Sequence, residues 1–137
     1  VGSTIKLGPL SNEKDFLLKF FPQCLVEKPV KETNDYAKKM GDQKQDLKWY
    51  ETSIIEMWAY LGIYIVVSIM QIPKYSIAWM TSLSFWVPGI PEIMTRERFE
   101  KKIGKYFHAN DKSINPPRGQ PGHDKIFHIR PFYDTVL

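Results

Sequence analysis

The feature that most constrains this chain is a run of 17 consecutive uncharged residues, Met57 to Pro73, in the middle of the sequence. Ser53 and Glu56 stand just before it at the spacing of a capping box, in which each side chain binds the other residue's backbone N–H. The pattern predicts a helix from about Ile54 to Met70 that Pro73 ends. Because this helix is apolar on almost every side, we expect other helices to surround it.

The same run is at the lower limit of length for a membrane-spanning helix, which needs about 17–25 apolar residues. It contains Gly62, Ser68 and Gln71, and no hydrophobic segment continues it. A signal peptide is not indicated, because no early basic patch precedes an apolar stretch and a small-residue cleavage site. We therefore expect a core helix and no membrane partner.

Composition supports a single helical domain. The 137 residues are 43% hydrophobic and 14% aromatic, which is enough for one core and too apolar for a disordered chain. The one cysteine, Cys24, cannot form an internal disulfide, so a disulfide-stapled scaffold is excluded. We predict an all-α fold, a compact bundle of about five to seven helices around the buried central helix (about 54–70). Residues 4–137 should form one domain, after a short expression scar.

Prolines and glycines predict where the flanking elements end. Pro29 should break or kink the helical segment that begins after Pro22, and Gly41 should end the helix formed by residues 29–40. The proline- and glycine-rich stretch from Asn110 to Gly122 should be a surface loop.

A helix predicted from Thr95 to about His108 has the clearest charge pattern. At 100° per residue, one stripe is apolar and should be buried. Basic side chains share one flank and acidic side chains lie on the other, a segregation that raises the odds of an anionic partner. An ordinary solvated face is the equally weighted alternative. The apolar stripe is Phe99, Ile103, Tyr106 and Phe107; the basic flank is Arg98, Lys101, Lys102 and Lys105; the acids are Glu97 and Glu100.

Most of the positive charge lies after residue 91. The whole chain has a net charge of +4, and residues 92–137 alone contribute +3. Such a basic balance permits nucleic acid as a partner without requiring it. The candidate DNA-binding residues are all nine basic residues of this stretch: Arg96, Arg98, Lys101, Lys102, Lys105, Lys112, Arg118, Lys125 and Arg130.

Motifs for catalysis or metal binding are lacking in the sequence. His108, His123 and His128 are not paired at i,i+4, and neither a nucleophile elbow nor a glycine-rich phosphate loop occurs. We therefore expect no catalytic residue, no metal site and no cofactor in this chain, and no motif supports a small helical enzyme.

Four stretches, in this order and spacing, resemble the N-terminal part of piggyBac-type transposases and of host proteins derived from them. They are Glu32 to Ala37, the apolar helix 53–72, Met94 to Glu100, and Asp124 to Pro131. The resemblance implies a helical dimerisation and DNA-binding region that precedes an RNase H-like core, in which Asp residues perform two-metal DNA cleavage. It also implies that the first catalytic Asp follows the segment matching Arg130 and Pro131, outside this fragment.

This resemblance predicts the DNA-binding and dimerising region of a piggyBac-like transposase or domesticated derivative, acting in the nucleus. The region would position transposon-end DNA for a catalytic core that the fragment lacks, so the fragment alone should not be an enzyme. Its expected partners are double-stranded DNA and a second copy of itself, and a divalent metal is expected only in the catalytic core. The alternative is a protein–protein interaction module that kept the fold and lost DNA binding, which the six acidic residues after position 91 favour.

Overall fold

The computed structural model describes residues 12–44, 48–80, 87 and 89–136, and the structural statements below concern these residues. Within these ranges all regular structure is helical and strands are absent, so the all-α prediction is confirmed. The α-helices there are α1 Glu13–Phe20, α2 Cys24–Lys44, α3 Ile54–Ile69, α4 Ile90–Ile93, α5 Gly104–Tyr106 and α6 Arg130–Val136. A π-helical segment, Arg98–Ile103, leads directly into α5, and short 3-10 turns cover Tyr75–Trp79, Lys112–Ile114 and Phe127–Ile129.

The central helix α3 forms where the sequence predicted it. Ser53 is its N-cap, and the Ser53 hydroxyl accepts a hydrogen bond from the backbone N–H of Glu56 at 3.1 Å. The Glu56 carboxylate does not complete the predicted capping box, because both of its oxygens accept hydrogen bonds from Arg98 instead. Met70 is the C-cap, so the helix ends before Pro73.

The core lies on one side of α3. Helix α2 and the Tyr75–Trp79 turn pack against α3, and α2 also contacts α5. Phe99 is 1% exposed and lies at the centre of an aromatic cluster. Its ring centroid is 4.9 Å from each of those of Tyr60, Tyr64 and Trp79. The predicted stripe is confirmed, since Phe99, Ile103 and Tyr106 are buried and Phe107 is half-buried.

The opposite face of α3 is exposed, which differs from the expectation that other helices surround this helix. The buried side chains of α3 all lie on its inner side, whereas Ile55 is 83% and Ile69 is 76% exposed. Apolar periodicity cannot distinguish a helix covered on all sides from one whose second apolar face lies at the surface. We call this surface the outer α3 face: Ile54, Ile55, Ile65, Val66 and Ile69. Among the described helices, none combines the length and hydrophobicity needed to cross a membrane.

Helix α2 is continuous over 21 residues, so the predicted break at Pro29 and end at Gly41 are wrong. Pro29 lies near the start of α2 and is almost completely buried, so its packing offsets the one backbone hydrogen bond that it removes. Gly41 has helical neighbours on both sides, and α2 continues to Lys44.

The segment 110–122 lies largely at the surface, as predicted, and side-chain hydrogen bonds close it at its base. The Asn115 side chain donates to the Asp124 carbonyl at 2.8 Å and accepts from the Asp124 N–H at 3.0 Å. The ring Nδ1 of His123 lies 2.7 Å from the Pro116 carbonyl oxygen. Gly119 turns the chain with a positive φ of 93°, a conformation that favours glycine.

Candidate nucleic-acid interface

The nine candidate DNA-binding residues do not form a single surface. Three of the four arginines bind carboxylates: Arg96, Arg98 and Arg130. Four further candidates have exposed side chains: Lys101, Lys105, Arg118 and Lys125. Lys102 is half-buried. The side chain of Lys112 lies outside the part of the chain that the structure describes.

Arg98 is the most deeply buried of the candidates whose side chains the structure describes. It is only 5% exposed, and its Nε and Nη2 atoms each donate to a different carboxylate oxygen of Glu56 at 2.7 Å. Burial alone would raise the pKa of Glu56, but the hydrogen bonds and positive charge of Arg98 outweigh burial and lower that pKa. Arg98 therefore joins the first turn of α3 to the π-helical segment.

Two aromatic rings and a backbone carbonyl complete the surroundings of Arg98. Its guanidinium carbon lies 3.6 Å from the ring centroid of Tyr50 and 4.8 Å from that of Trp49. Nη2 also donates to the Tyr50 carbonyl at 3.1 Å. Nη1 is buried and has no hydrogen-bond partner among the described residues.

Beside Arg98 is a cavity of about 210 Å³, which we call the Arg98 cavity. Its polar lining includes the Thr95 hydroxyl, which accepts a hydrogen bond from the Arg98 backbone N–H at 3.2 Å. The lining residues are Lys48, Tyr50, Thr95, Glu97, Arg98 and Lys102.

Acidic and basic side chains meet at one edge of the predicted basic flank in the helical stretch 96–106. Arg96 Nε donates to Glu100 at 2.8 Å, and Lys101 shares a shallow cavity with these two residues and Glu97. The pairs Arg96/Glu100 and Glu97/Lys101 have the i,i+4 spacing at which side chains are neighbours on an ordinary α-helix. Lys105 lies over the ring of Tyr106, with 4.8 Å between Nζ and the ring centroid.

A second group of basic side chains lines a cavity of about 290 Å³ in the 115–128 region. It includes Arg118 and Lys125 together with His123 and His128. The acidic lining residue Asp124 is bound by Arg130, with 2.8 Å between Arg130 Nε and the carboxylate. That hydrogen bond is the main cause that lowers the pKa of Asp124. We call Arg118, His123, Lys125 and His128 the loop cluster.

The histidines do not combine with acids into a metal centre. Within the described ranges, no three His, Cys, Asp or Glu side chains lie close enough together to hold a metal ion. His108 is buried against Tyr36, with ring centroids 3.9 Å apart, and its Nδ1 lies 3.0 Å from the Tyr106 carbonyl. We therefore derive no metal-dependent step from these residues.

Sequence reasoning missed several residues of the Arg98 cavity. Glu56 was expected only as part of a helix cap, and neither Lys48 nor Thr95 was a candidate. Arg98 and Glu56 are 42 residues apart, and no spacing rule links residues at that distance. The one available signal was Thr95, a potential helix-capping residue three positions before Arg98.

Besides its helical fold and basic C-terminal part, the chain has a sequence that matches a transposase family. The family model described as Transposase IS4 matches residues 12–136, nearly the whole chain. The chain therefore belongs to the family of piggyBac-type transposases, which confirms the resemblance found in the sequence.

The chain is also similar in sequence to a human protein. The chain is 32% identical to human PiggyBac transposable element-derived protein 5 over 142 residues. The matched region covers 98% of this chain and 25% of the human protein, so the chain spans about a quarter of that relative. No solved structure matches the chain.

Proposed function

We propose that this chain is the DNA-binding and dimerising region of a piggyBac-like transposase or a domesticated derivative, and that it acts in the nucleus. Its role would be to hold transposon-end DNA for a catalytic core. The observation that carries this proposal is the family match over residues 12–136. The exposed basic side chains after residue 91 support it, because an anionic partner needs accessible cations.

Two groups of side chains are suited to contact phosphates. Lys101 and Lys105 are exposed on the helical stretch 96–106, and Arg118 and Lys125 are exposed in the loop cluster. Contacts of this kind supply affinity and fix the orientation of the duplex, but they read little sequence. Arg96 and Arg130 retain partial exposure beside their carboxylate partners.

Fluorescence anisotropy tests the DNA-binding part of the proposal. The chain is titrated into labelled duplexes, one carrying a transposon terminal repeat and one of random sequence, at about 50 mM salt. With about four phosphate contacts, log K should fall with log salt at a slope of about −3 to −4. Failure to bind either duplex at low salt would exclude DNA binding by this region.

The dimerising part rests on the outer α3 face. An exposed apolar surface on a folded domain commonly marks an interaction site. In a two-fold dimer each surface meets its own copy, so charged groups near the axis would repel. The run from Met57 to Pro73 contains no charge, which makes this face compatible with self-association.

Light scattering of the chain tests this part, with Ile69→Glu as the disrupting variant. Ile114→Glu is the control, because Ile114 is 72% exposed but lies far along the chain in the Lys112–Ile114 turn. A dimer that Ile69→Glu dissociates and Ile114→Glu leaves intact supports the proposal. A monomer at all concentrations tested argues against it.

The second candidate function is a protein–protein interaction module that has lost DNA binding. The outer α3 face favours it, and so do the ion pairs that occupy Arg96, Arg98 and Arg130. Apolar contacts are less sensitive to salt than phosphate contacts. A complex that forms without DNA and survives high salt, together with absent duplex binding, would select this alternative.

DNA cleavage is not assigned to the residues described here. In the whole protein it would depend on Asp residues that the resemblance places outside this stretch. If those residues are retained, the parent protein could be an active transposase, and purified full-length protein would cleave transposon ends in the presence of a divalent metal.

A further inference from the structure

The loop cluster lines a cavity whose walls are held in place by the backbone. We call this cavity of about 290 Å³ the loop cavity. The Asn115 side chain accepts from the Asp124 N–H and donates to the Asp124 carbonyl, which closes the loop at its base. Pro116 and Pro117 lie in the wall and have a fixed φ angle, and Gly122 turns the chain with a φ of 82°. Because these walls are already in place, a small ligand binds without the cost of ordering the loop.

The charged side chains around the loop cavity leave an excess of positive charge. Arg118 and Lys125 line it, and neither forms an ion pair with a described residue. Both carboxylate oxygens of the lining residue Asp124 are occupied, since Oδ1 accepts from a backbone N–H at 3.0 Å and Oδ2 accepts from Arg130 Nε at 2.8 Å. Asp134 lies 3.5 Å from Arg130 Nη1. Three basic side chains against two carboxylates leave a net charge of +1 among these described residues when the histidines are neutral, which matches the single negative charge of a phosphodiester.

Two histidines can raise this positive charge further. His123 Nδ1 lies 2.7 Å from the Pro116 carbonyl oxygen. A carbonyl oxygen only accepts, so Nδ1 carries the proton of the neutral ring, and protonation adds a second N–H at Nε2. His128 lines the same cavity. Histidine changes its charge between about pH 5 and 8, so the loop cavity can gain two positive charges as the pH falls through that range.

Charged groups from the loop and from α6 face the two histidines. A phosphate in the cavity would add a negative charge beside the rings, which favours their protonated form. Phosphate binding and proton uptake are therefore coupled at this site. The charged groups that face the rings are Arg118, Asp124, Lys125 and Arg130.

We propose that the loop cavity binds one phosphate group, and that protonated His123 and His128 are ligands of that phosphate beside Arg118 and Lys125. The phosphate would come from a DNA backbone or from free phosphate, and only the first source rests on the proposed function. A phosphodiester keeps a single negative charge over this pH range, so the protein takes up the protons that accompany DNA binding. DNA affinity therefore rises as the pH falls from about 7.5 to about 5.5.

Fluorescence anisotropy of a random duplex at about pH 7.5 and 5.5 tests the histidines, with the ionic strength held constant. Wild-type affinity should rise about threefold or more at the lower pH, which is the scale of one exposed ion pair. His123→Gln/His128→Gln should remove most of this rise and change the affinity little at the higher pH, because glutamine does not become charged. Arg118→Gln is the matched control. It removes a charge that does not titrate, so it should weaken binding at both pH values and keep the rise.

NMR of the histidine ring signals at about pH 6 tests the site without DNA. Inorganic phosphate should shift the His123 and His128 signals saturably, whereas sodium chloride of equal ionic strength should not. The third histidine, His108, is buried against Tyr36 and does not line the loop cavity, so its signals are the internal reference.

Two results would overturn the site: histidine signals that respond equally to phosphate and chloride, or a rise in affinity that the double histidine variant retains. The duplex and phosphate measurements together distinguish the sources of phosphate. Duplex binding that is equally strong at both pH values removes the histidines from the site but leaves the proposed function intact. Phosphate-dependent shifts without duplex binding at either pH retain the loop cavity for free phosphate and remove the proposed DNA function.

Discussion

Arg98 and Glu56 form an ion pair with two hydrogen bonds of 2.7 Å that joins the π-helical segment to the first turn of α3. Arg98 is 5% and Glu56 is 21% exposed at the side chain. A buried charge that loses its partner is strongly unfavourable, so this pair fixes how the two elements pack. Arg98 is thus primarily an anchor of the fold.

Glu56→Gln should therefore destabilise the domain by about 2–4 kcal/mol, since a neutral amide cannot accept from both Arg98 nitrogens. Urea unfolding followed by circular dichroism at pH 7 measures the change. Glu100→Gln is the matched control, because it removes a carboxylate from the exposed pair with Arg96 and should cost little. Equal losses from the two variants would contradict an anchoring role for Glu56.

The same pair should give a defined pH dependence. The pKa of Glu56 is lower in the folded chain than its ordinary value of 4.5, so its ionised form stabilises the fold above about pH 4.5. This contribution is lost as the pH falls through the folded-state pKa. The difference in unfolding free energy between wild type and Glu56→Gln should be constant from about pH 8 to 5 and decrease below about pH 4.5. If the difference in unfolding free energy stayed constant down to pH 3, the Glu56–Arg98 pair would not be the source of that difference.

Gly104 should not tolerate a side chain. A Cβ at this position would lie 2.8 Å from the Phe99 carbonyl oxygen, which accepts the Gly104 N–H in the π-helical segment. We expect Gly104→Ala to destabilise the domain by about 1–3 kcal/mol, because backbone would have to move. Gly41→Ala is the contrasting variant, since no atom lies within 4 Å of its Cβ. Gly41→Ala should stabilise the domain by about 0.5–1 kcal/mol, because alanine favours the helix more than glycine does. Thermal unfolding should therefore show a lower melting temperature for Gly104→Ala and a higher one for Gly41→Ala.

Asn34 should contribute stability through the backbone of Thr52, just before α3. Its side chain accepts from the Thr52 N–H at 2.8 Å and donates to the Thr52 carbonyl at 2.9 Å. Asn34→Ala should cost about 1–3 kcal/mol, because Thr52 is buried and both groups lose their partner. Asn34→Asp keeps the acceptor and should cost less when unfolding by urea is compared at pH 7. An Asp variant as unstable as the Ala variant would contradict this account.

Local sequence signals predicted the features that depend on neighbouring residues. The bounds of α3 followed from Ser53 and Pro73, and the buried stripe containing Phe99 followed from helical spacing. The continuity of α2 through Pro29 could not be predicted in this way, because the packing of the proline ring against the core offsets a local penalty. The exposure of the outer α3 face likewise depends on which elements pack on α3, and local spacing does not show this.

The candidate interface was predictable only in part. Net charge identified the basic C-terminal part, but the pairing of Arg98 with Glu56 depends on a tertiary contact that helical projection does not include. Glu56 reaches Arg98 across 42 residues, a separation that no helical spacing rule links. Arg98 variants therefore report on stability as well as on binding. Lysines and arginines outside such pairs are better probes of DNA contact.

The loop cluster provides the cleanest test of phosphate contact. Arg118 and Lys125 are exposed, and neither forms an ion pair with a described residue. The double variant Arg118→Ala/Lys125→Ala should weaken binding about equally for terminal-repeat and random duplexes, because phosphate contacts carry little sequence information. It should also lower the salt slope by about 2, while the melting temperature changes little.

The control is Lys38→Ala/Lys39→Ala, which removes the same charge from exposed positions of α2. Both lysines lie on α2, outside the loop cluster, so this pair should affect binding little. Anisotropy at three or more salt concentrations gives the slope for each double variant. If the two double variants lower the affinity and the salt slope to the same extent, DNA binding depends on the overall positive charge of the domain. The loop cluster would then not be a contact site.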